Sequence, residues 1–132
     1  MAYAESQPTV SLIAETTFAK TDLYKFVELS TVGRVVIGAS TAADAVVGTL
    51  LSETYSTSTG ANETVTIGLL SGIGKVYMAG STEHAGKAIS ASVNGFGITP
   101  TTDALQLGII VDGSSGSTGR IASVLFNPSY DV

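Results

Sequence analysis

The chain contains no cysteine, which removes disulfide frameworks, thiol nucleophiles and cysteine-ligated zinc from consideration. At 132 residues it needs no such staple, because one domain of this size buries roughly two thirds of the surface its unfolded form exposes. Charge is scarce as well. Charged residues make up 13% of the chain, against about 25% in an average soluble protein, which points to a surface that something covers. The six basic residues, Lys20, Lys25, Arg34, Lys75, Lys87 and Arg120, form no run. Together with a formal charge of −5, this scatter argues against binding to a phosphate backbone, which depends on clustered lysine and arginine. Although 44% of the residues are hydrophobic, no apolar run approaches the ~20 residues of a membrane-spanning helix. The opening MAYAESQPTV lacks a basic region followed by an apolar one, so synthesis and use without export are expected. No segment places apolar residues at helical spacing for three turns, and regular helix should be scarce.

What is present is a grammar of short strands and glycine corners. It is clearest from Asn62 to Met78, NETVTIGLLSGIGKVYM. Val65, Ile67 and Leu69 fall on one face and Thr64, Thr66 and Gly68 on the other, the period of two of a half-buried strand. Val76 and Met78 share a face, Lys75 and Tyr77 point the opposite way, and Ser71-Gly72-Ile73-Gly74 between the two runs predicts a tight hairpin turn. Gly72 and Gly74 are its candidates for positive φ.

The rest of the chain repeats the pattern. Tyr24–Leu29 and Arg34–Ile37 flank a turn at Ser30-Thr31-Val32-Gly33, and Gly38 to Asp44 is a small-residue loop. Ala45–Leu51 is a strand, followed by the polar loop TYSTSTGA from Thr54 to Ala61. Lys87 to Val93 is a strand with Ile89, Ala91 and Val93 inward, and Asn94-Gly95 is a strong hairpin dipeptide, although Gly97 and Pro100 soon after make a longer loop equally possible. Leu105–Val111 and Arg120–Phe126 are the last strands, joined by DGSSGSTG, with Pro128 closing the final one. Many short strands at this spacing predict an all-β fold: a small β-barrel or sandwich of short antiparallel strands with little helix.

Residues 1–22 differ from the remainder, since they contain no glycine. After Pro8, the residues Val10, Leu12, Ala14, Thr16 and Phe18 alternate with Ser11, Glu15 and Thr17, so the segment is extended with one apolar edge. It is either an edge strand of the same domain or an arm that orders on a partner. The division taken from this pattern is an extended N-terminal arm over 1–22 and a β-barrel over 23–132. Val10, Leu12, Ile13 and Phe18 are then the residues expected to meet a partner.

Chemical motifs are weak. Asp112, His84 and several serines hold the letters of a hydrolase triad, but no nucleophile elbow selects a serine. His84 beside Glu83 offers two metal ligands where a site needs three. The glycine-rich run from Gly113 to Gly119 lacks the Lys-Ser/Thr ending that grips phosphate. No catalytic residue, metal or cofactor is expected.

The order of the segments YKFVELSTVGRVVIG, VVGTLLSE, GANETVTIGLLSGIGKVYMAGS and AGKAISAS, over about Tyr24 to Phe126, resembles the capsid decoration, or cement, proteins of tailed bacteriophages. In that family a glycine followed one or two residues on by valine recurs through a compact β-barrel, as Gly33 to Val35 and Gly74 to Val76 do here. The resemblance implies a structural protein similar in role to the phage lambda head decoration protein. It would be a homotrimer bound to the major capsid protein at three-fold and quasi-three-fold positions outside an expanded head, made in the host cytoplasm and found on the virion. It implies no catalytic residues and no contact with nucleic acid or membrane. Two other readings compete: a small-molecule or sugar-binding β-barrel using Tyr55 and Tyr77 as polar contacts, and a carrier barrel modified at Lys75.

Overall fold

Strand content dominates the computed structural model, which describes residues 7–38, 46–56, 59–80, 84–100, 106–112 and 119–129. The strands are β1 (Thr9–Ile13), β2 (Phe26–Leu29), β3 (Val35–Ile37), β4 (Val46–Leu50), β5 (Thr64–Leu69), β6 (Ile73–Tyr77), β7 (Ala88–Ala91), β8 (Gly97–Ile98), β9 (Gln106–Asp112) and β10 (Ile121–Ser129). Helix among the described residues is limited to a single 3-10 turn at Lys20–Asp22. The Asp22 carboxylate caps that turn by accepting the Ala19 N–H at 2.8 Å. The loop expected over Gly38 to Asp44 lies, beyond Gly38, outside the described residues, as do residues 113–118 of the DGSSGSTG connection.

The strands form two five-stranded antiparallel sheets, one in the order β1-β5-β4-β2-β3 and the other β6-β10-β9-β7-β8. All of the first sheet precedes all of the second in sequence. In each, the two outermost strands come round to meet at one parallel bridge, Ala14 with Val35 in the first and Met78 with Gly97 in the second. A single bridge is short of a continuous ladder, so the sheets are strongly curled without closing into barrels.

Each curled sheet wraps its own core. The first encloses Ala14, Phe18, Val27, Val35, Leu50, Val65 and Ile67. The second encloses Val76, Met78, Ile89, Leu107, Ile110, Ala122, Val124 and Phe126, and it also takes in Phe26 and Val46 from β2 and β4. Adjacent residues of a strand point to opposite faces. Val27 therefore faces its own sheet's core while Phe26 reaches into the other, where its ring meets Phe126 edge-on at 6.4 Å. Backbone bonds reinforce the junction: Phe26 N–H donates to Gly95 O at 2.7 Å, and Tyr77 N–H to Tyr24 O at 2.9 Å.

Two turns follow the sequence reading. The Ser30–Gly33 turn joins β2 to β3 through Ser30 N–H to Arg34 O and Gly33 N–H to Ser30 O. Asn94-Gly95 turns β7 into β8, with Gly95 at φ +80° and Ser92 N–H bonded to Phe96 O at 2.9 Å.

Three expectations are corrected. The corner at Ser71–Gly74 is not a hairpin, because β5 pairs with β1 and β4 while β6 pairs with β10. It carries the chain from the first sheet to the second, and an alternating pattern on both sides of a tight corner cannot distinguish the two cases. Val93 is 71% exposed, because β7 ends at Ala91 and Val93 falls in the turn. The last strand runs through Pro128 instead of closing there, and the register shift against β9 between Phe126 and Ser129 accommodates a residue that has no N–H to give.

Of the two possibilities for the N-terminal segment, the structure takes the edge strand. β1 pairs antiparallel along β5 from Thr9 opposite Gly68 to Ile13 opposite Thr64, so the segment before residue 22 contributes to the first sheet and its core.

Candidate functional site

The four residues expected to meet a partner do not share one exposed face. Phe18 is 1% exposed and belongs to the first core. Val10 and Leu12 are half-buried and pack against that core, and Ile13 projects from the opposite side of β1 to solvent. Phe18 is further fixed by the loop at Thr54: its N–H donates to Thr54 Oγ1 at 3.1 Å, and Thr54 N–H returns a bond to Phe18 O at 3.1 Å. The alternation that suggested an adhesive edge is that of an edge strand whose Val10 and Leu12 pack against the chain's own core.

The two turn glycines divide in the same way. Gly72 sits at φ +68°, a backbone conformation glycine adopts without the Cβ penalty of other residues. Gly74 lies inside β6, and its lack of a side chain serves close packing. A Cβ there would stand 2.5 Å from Phe126 Cε2 and 2.6 Å from Gln7 Nε2.

The surface with the clearest capacity for contact is the outer face of the second sheet. Leu125 of β10 stands opposite Ile73 of β6 on one side and Ile109 of β9 on the other, and Ile109 in turn stands opposite Ala88 of β7. Four strands thus carry one continuous apolar row. Leu125 and Ile109 are 44% and 38% exposed, and Val111 beside them 37%. The next row, Lys75, Ser123 and Asp112 in register, is polar, with Ser123 buried and Lys75 and Asp112 half-buried. This face is not among the sequence-based expectations, although its signal is present: in GIIVD and ASVLFN the apolar residues occupy both parities, which marks strands with two apolar sides.

The residues proposed for other chemistries are dispersed. Tyr55 is 98% exposed at the tip of a loop whose Tyr55 and Ser56 N–H groups both donate to the Glu63 carboxylate, at 2.6 and 3.0 Å. A cavity of about 430 Å³ beside it is lined by Glu53, Thr54, Tyr55, Glu63 and Thr64. Tyr77 lies on the far sheet, its ring stacked on Phe96 at 5.2 Å under the Lys25 ammonium, and it does not line this cavity. The two tyrosines therefore do not build a common sugar site. Lys75 is in mid-strand, away from any hairpin tip, which is the wrong setting for a carrier lysine. His84 is exposed and its Nδ1 lies 3.0 Å from Ala85 O, while Glu83 is outside the described residues. Among the described residues no three histidine, aspartate or glutamate side chains gather in one place.

No protein-family model matches the chain, and no curated protein matches it.

Proposed function

We propose that this is a structural protein, a decoration protein that binds the outer surface of an expanded phage head as trimers at three-fold and quasi-three-fold sites and braces it against the packaged genome. The observation that carries this reading is the apolar row Ile73–Leu125–Ile109–Ala88 across the outer face of the second sheet. Contiguous apolar surface of this kind marks contact with other protein. The segment order from Tyr24 to Phe126 supplies the kind of partner, a capsid shell, and the acidic, charge-poor composition suits a protein that meets protein and not DNA. Rigidly joined copies gain by avidity: each further weak contact raises apparent affinity by about 10² to 10⁴.

The test combines the mass of the free protein by light scattering with cosedimentation on purified expanded heads. A trimer that pellets with heads is expected. Leu125→Lys should abolish association while leaving unfolding free energy within about 0.5 kcal/mol, because Leu125 lies outside the core. A monomer that ignores heads and whose melting temperature rises with an added sugar would overturn the proposal in favour of a small-molecule-binding protein.

A further inference from the structure

At the seam between the two sheets is a second cavity, of about 270 Å³, lined by Gln7, Tyr24, Leu51 and Lys75. Its lining comes from four separate parts of the chain: the residue pair before β1, the link into β2, the residue after β4, and β6. Each is held by the fold. The Gln7 side chain donates to Leu69 O at 3.1 Å and lies over two glycines, since a Cβ on Gly68 or Gly74 would come within 2.5 or 2.6 Å of its Nε2. Tyr24 has φ +70°, a conformation non-glycine residues avoid and which persists where the surroundings dictate it. Here they do: Tyr24 N–H donates to Leu50 O at 2.8 Å, and Tyr24 O accepts from Tyr77 N–H at 2.9 Å. The link is pinned to both sheets at once, and its ring lies 5.6 Å from the Lys75 ammonium.

Lys75 is the unusual member. Lys25 is paired to Asp22 at 3.0 Å, Arg34 donates to Asn62 Oδ1, and Lys20 and Lys87 are exposed to water. Lys75 is half-buried, and among the described residues no carboxylate is paired with it. An ammonium partly withdrawn from water without a counter-ion is unfavourable, and a tyrosine face attracts it without neutralising it. In a chain with an excess of acidic residues, Lys75 is a half-buried cation that lines a cavity.

We propose that the seam cavity is a carboxylate-binding site, with Lys75 as the charge partner, Tyr24 and Gln7 as flanking polar groups, and Leu51 as the apolar wall. A single ammonium beside neutral groups matches a monoanion; a phosphate dianion calls for more donors, such as an arginine fork or a row of backbone N–H groups. The leucine wall fits the methylenes of a short stem. The ligand is therefore an aspartate or glutamate side chain of a bound protein segment, or a small free aliphatic acid. The site stands independently of the decoration reading.

The test is a nuclear magnetic resonance titration of the full chain, following lysine ε-methylene and Tyr24 ring signals. Sodium acetate and a glutamate-rich decapeptide are the probes, and sodium chloride at equal ionic strength is the control. Saturable shifts at Lys75 and Tyr24 are expected, with Lys20 and Lys87 moving far less. Lys75→Met, which keeps the aliphatic stem, should lower affinity about tenfold or more, while Lys87→Met leaves it unchanged. Peptide binding about tenfold tighter than acetate assigns the site to a protein partner, and equal binding assigns it to a small acid; both support a carboxylate site. Equal shifts at all lysines, or shifts reproduced by chloride, overturn it, and that result comes from the wild-type chain even if a variant fails to fold.

Discussion

At the scale of single residues, several side chains have one physical reason to be what they are, and that reason predicts what replacing them does. Gly72 is required by its dihedral and Gly74 by its neighbours, and substitution separates the two. Asparagine tolerates the left-handed region, so Gly72→Asn should cost well under about 1 kcal/mol and Gly72→Val about 1 to 3. Gly74→Asn should cost about 1 to 3 kcal/mol, because the added atoms meet Phe126 in a filled core. Urea unfolding of the three variants checks this, and equal behaviour of the two asparagine variants would contradict the distinction. Thr54 offers a second case. Its hydroxyl satisfies the buried Phe18 N–H, so Thr54→Val keeps the shape and orphans that donor, at about 1 to 3 kcal/mol. Thermal unfolding should show a lowered midpoint with unchanged far-ultraviolet dichroism below it.

At the scale of elements, the strand that matters most to the interpretation is β1. It lies at the edge of the first sheet and is paired on one side over its length with β5. Immediately after it come the Ala14–Val35 bridge and Phe18, both parts of the first core. Deleting residues 2–18 therefore removes a strand, the bridge that brings the sheet round on itself, and two buried side chains. Losing Phe18 alone is worth about 3 to 5 kcal/mol, a large fraction of the stability of a domain this size. The truncated protein should be unfolded at 25 °C, with far-ultraviolet strand signal lost. A truncated protein that still melts cooperatively would show that β1 is an appendage. The outer row of the second sheet has the opposite character: Leu125 and Ile109 belong to neither core and are 44% and 38% exposed, which is why their substitution is predicted to act on association more than on folding.

For the whole molecule, the governing feature is that two sheets, formed in succession along the chain, wrap two cores that share β2. Phe26 is fully buried and packs in the second core although its strand belongs to the first sheet. Phe26→Ala should therefore lower the stability of both halves together, by about 3 to 5 kcal/mol, and hydrogen exchange should report the loss in amides of β4 and of β10 alike. If only the β6–β10 amides lose protection, the two halves unfold as separate units. The same seam shapes the carboxylate-site proposal, since Gln7, Tyr24, Leu51 and Lys75 meet only because the sheets do.

By itself the sequence determined the class of the fold and most of its elements. Alternation in TVTIGL and IGKVY follows from the pleat, which sends neighbouring side chains to opposite faces whatever the rest of the chain does. The Ser30–Gly33 and Asn94-Gly95 turns depend on local dihedrals and were equally legible. Partnership was not. Whether the strands on either side of Gly72 pair with each other or with β4 and β10 depends on which apolar faces find a core, and that involves residues far apart in the chain. Likewise Val10, Leu12 and Phe18 carry the same alternation whether they face their own core or a partner's surface. The tertiary structure decided it, because β5 offered β1 a free edge and the curled first sheet left room for Phe18 inside.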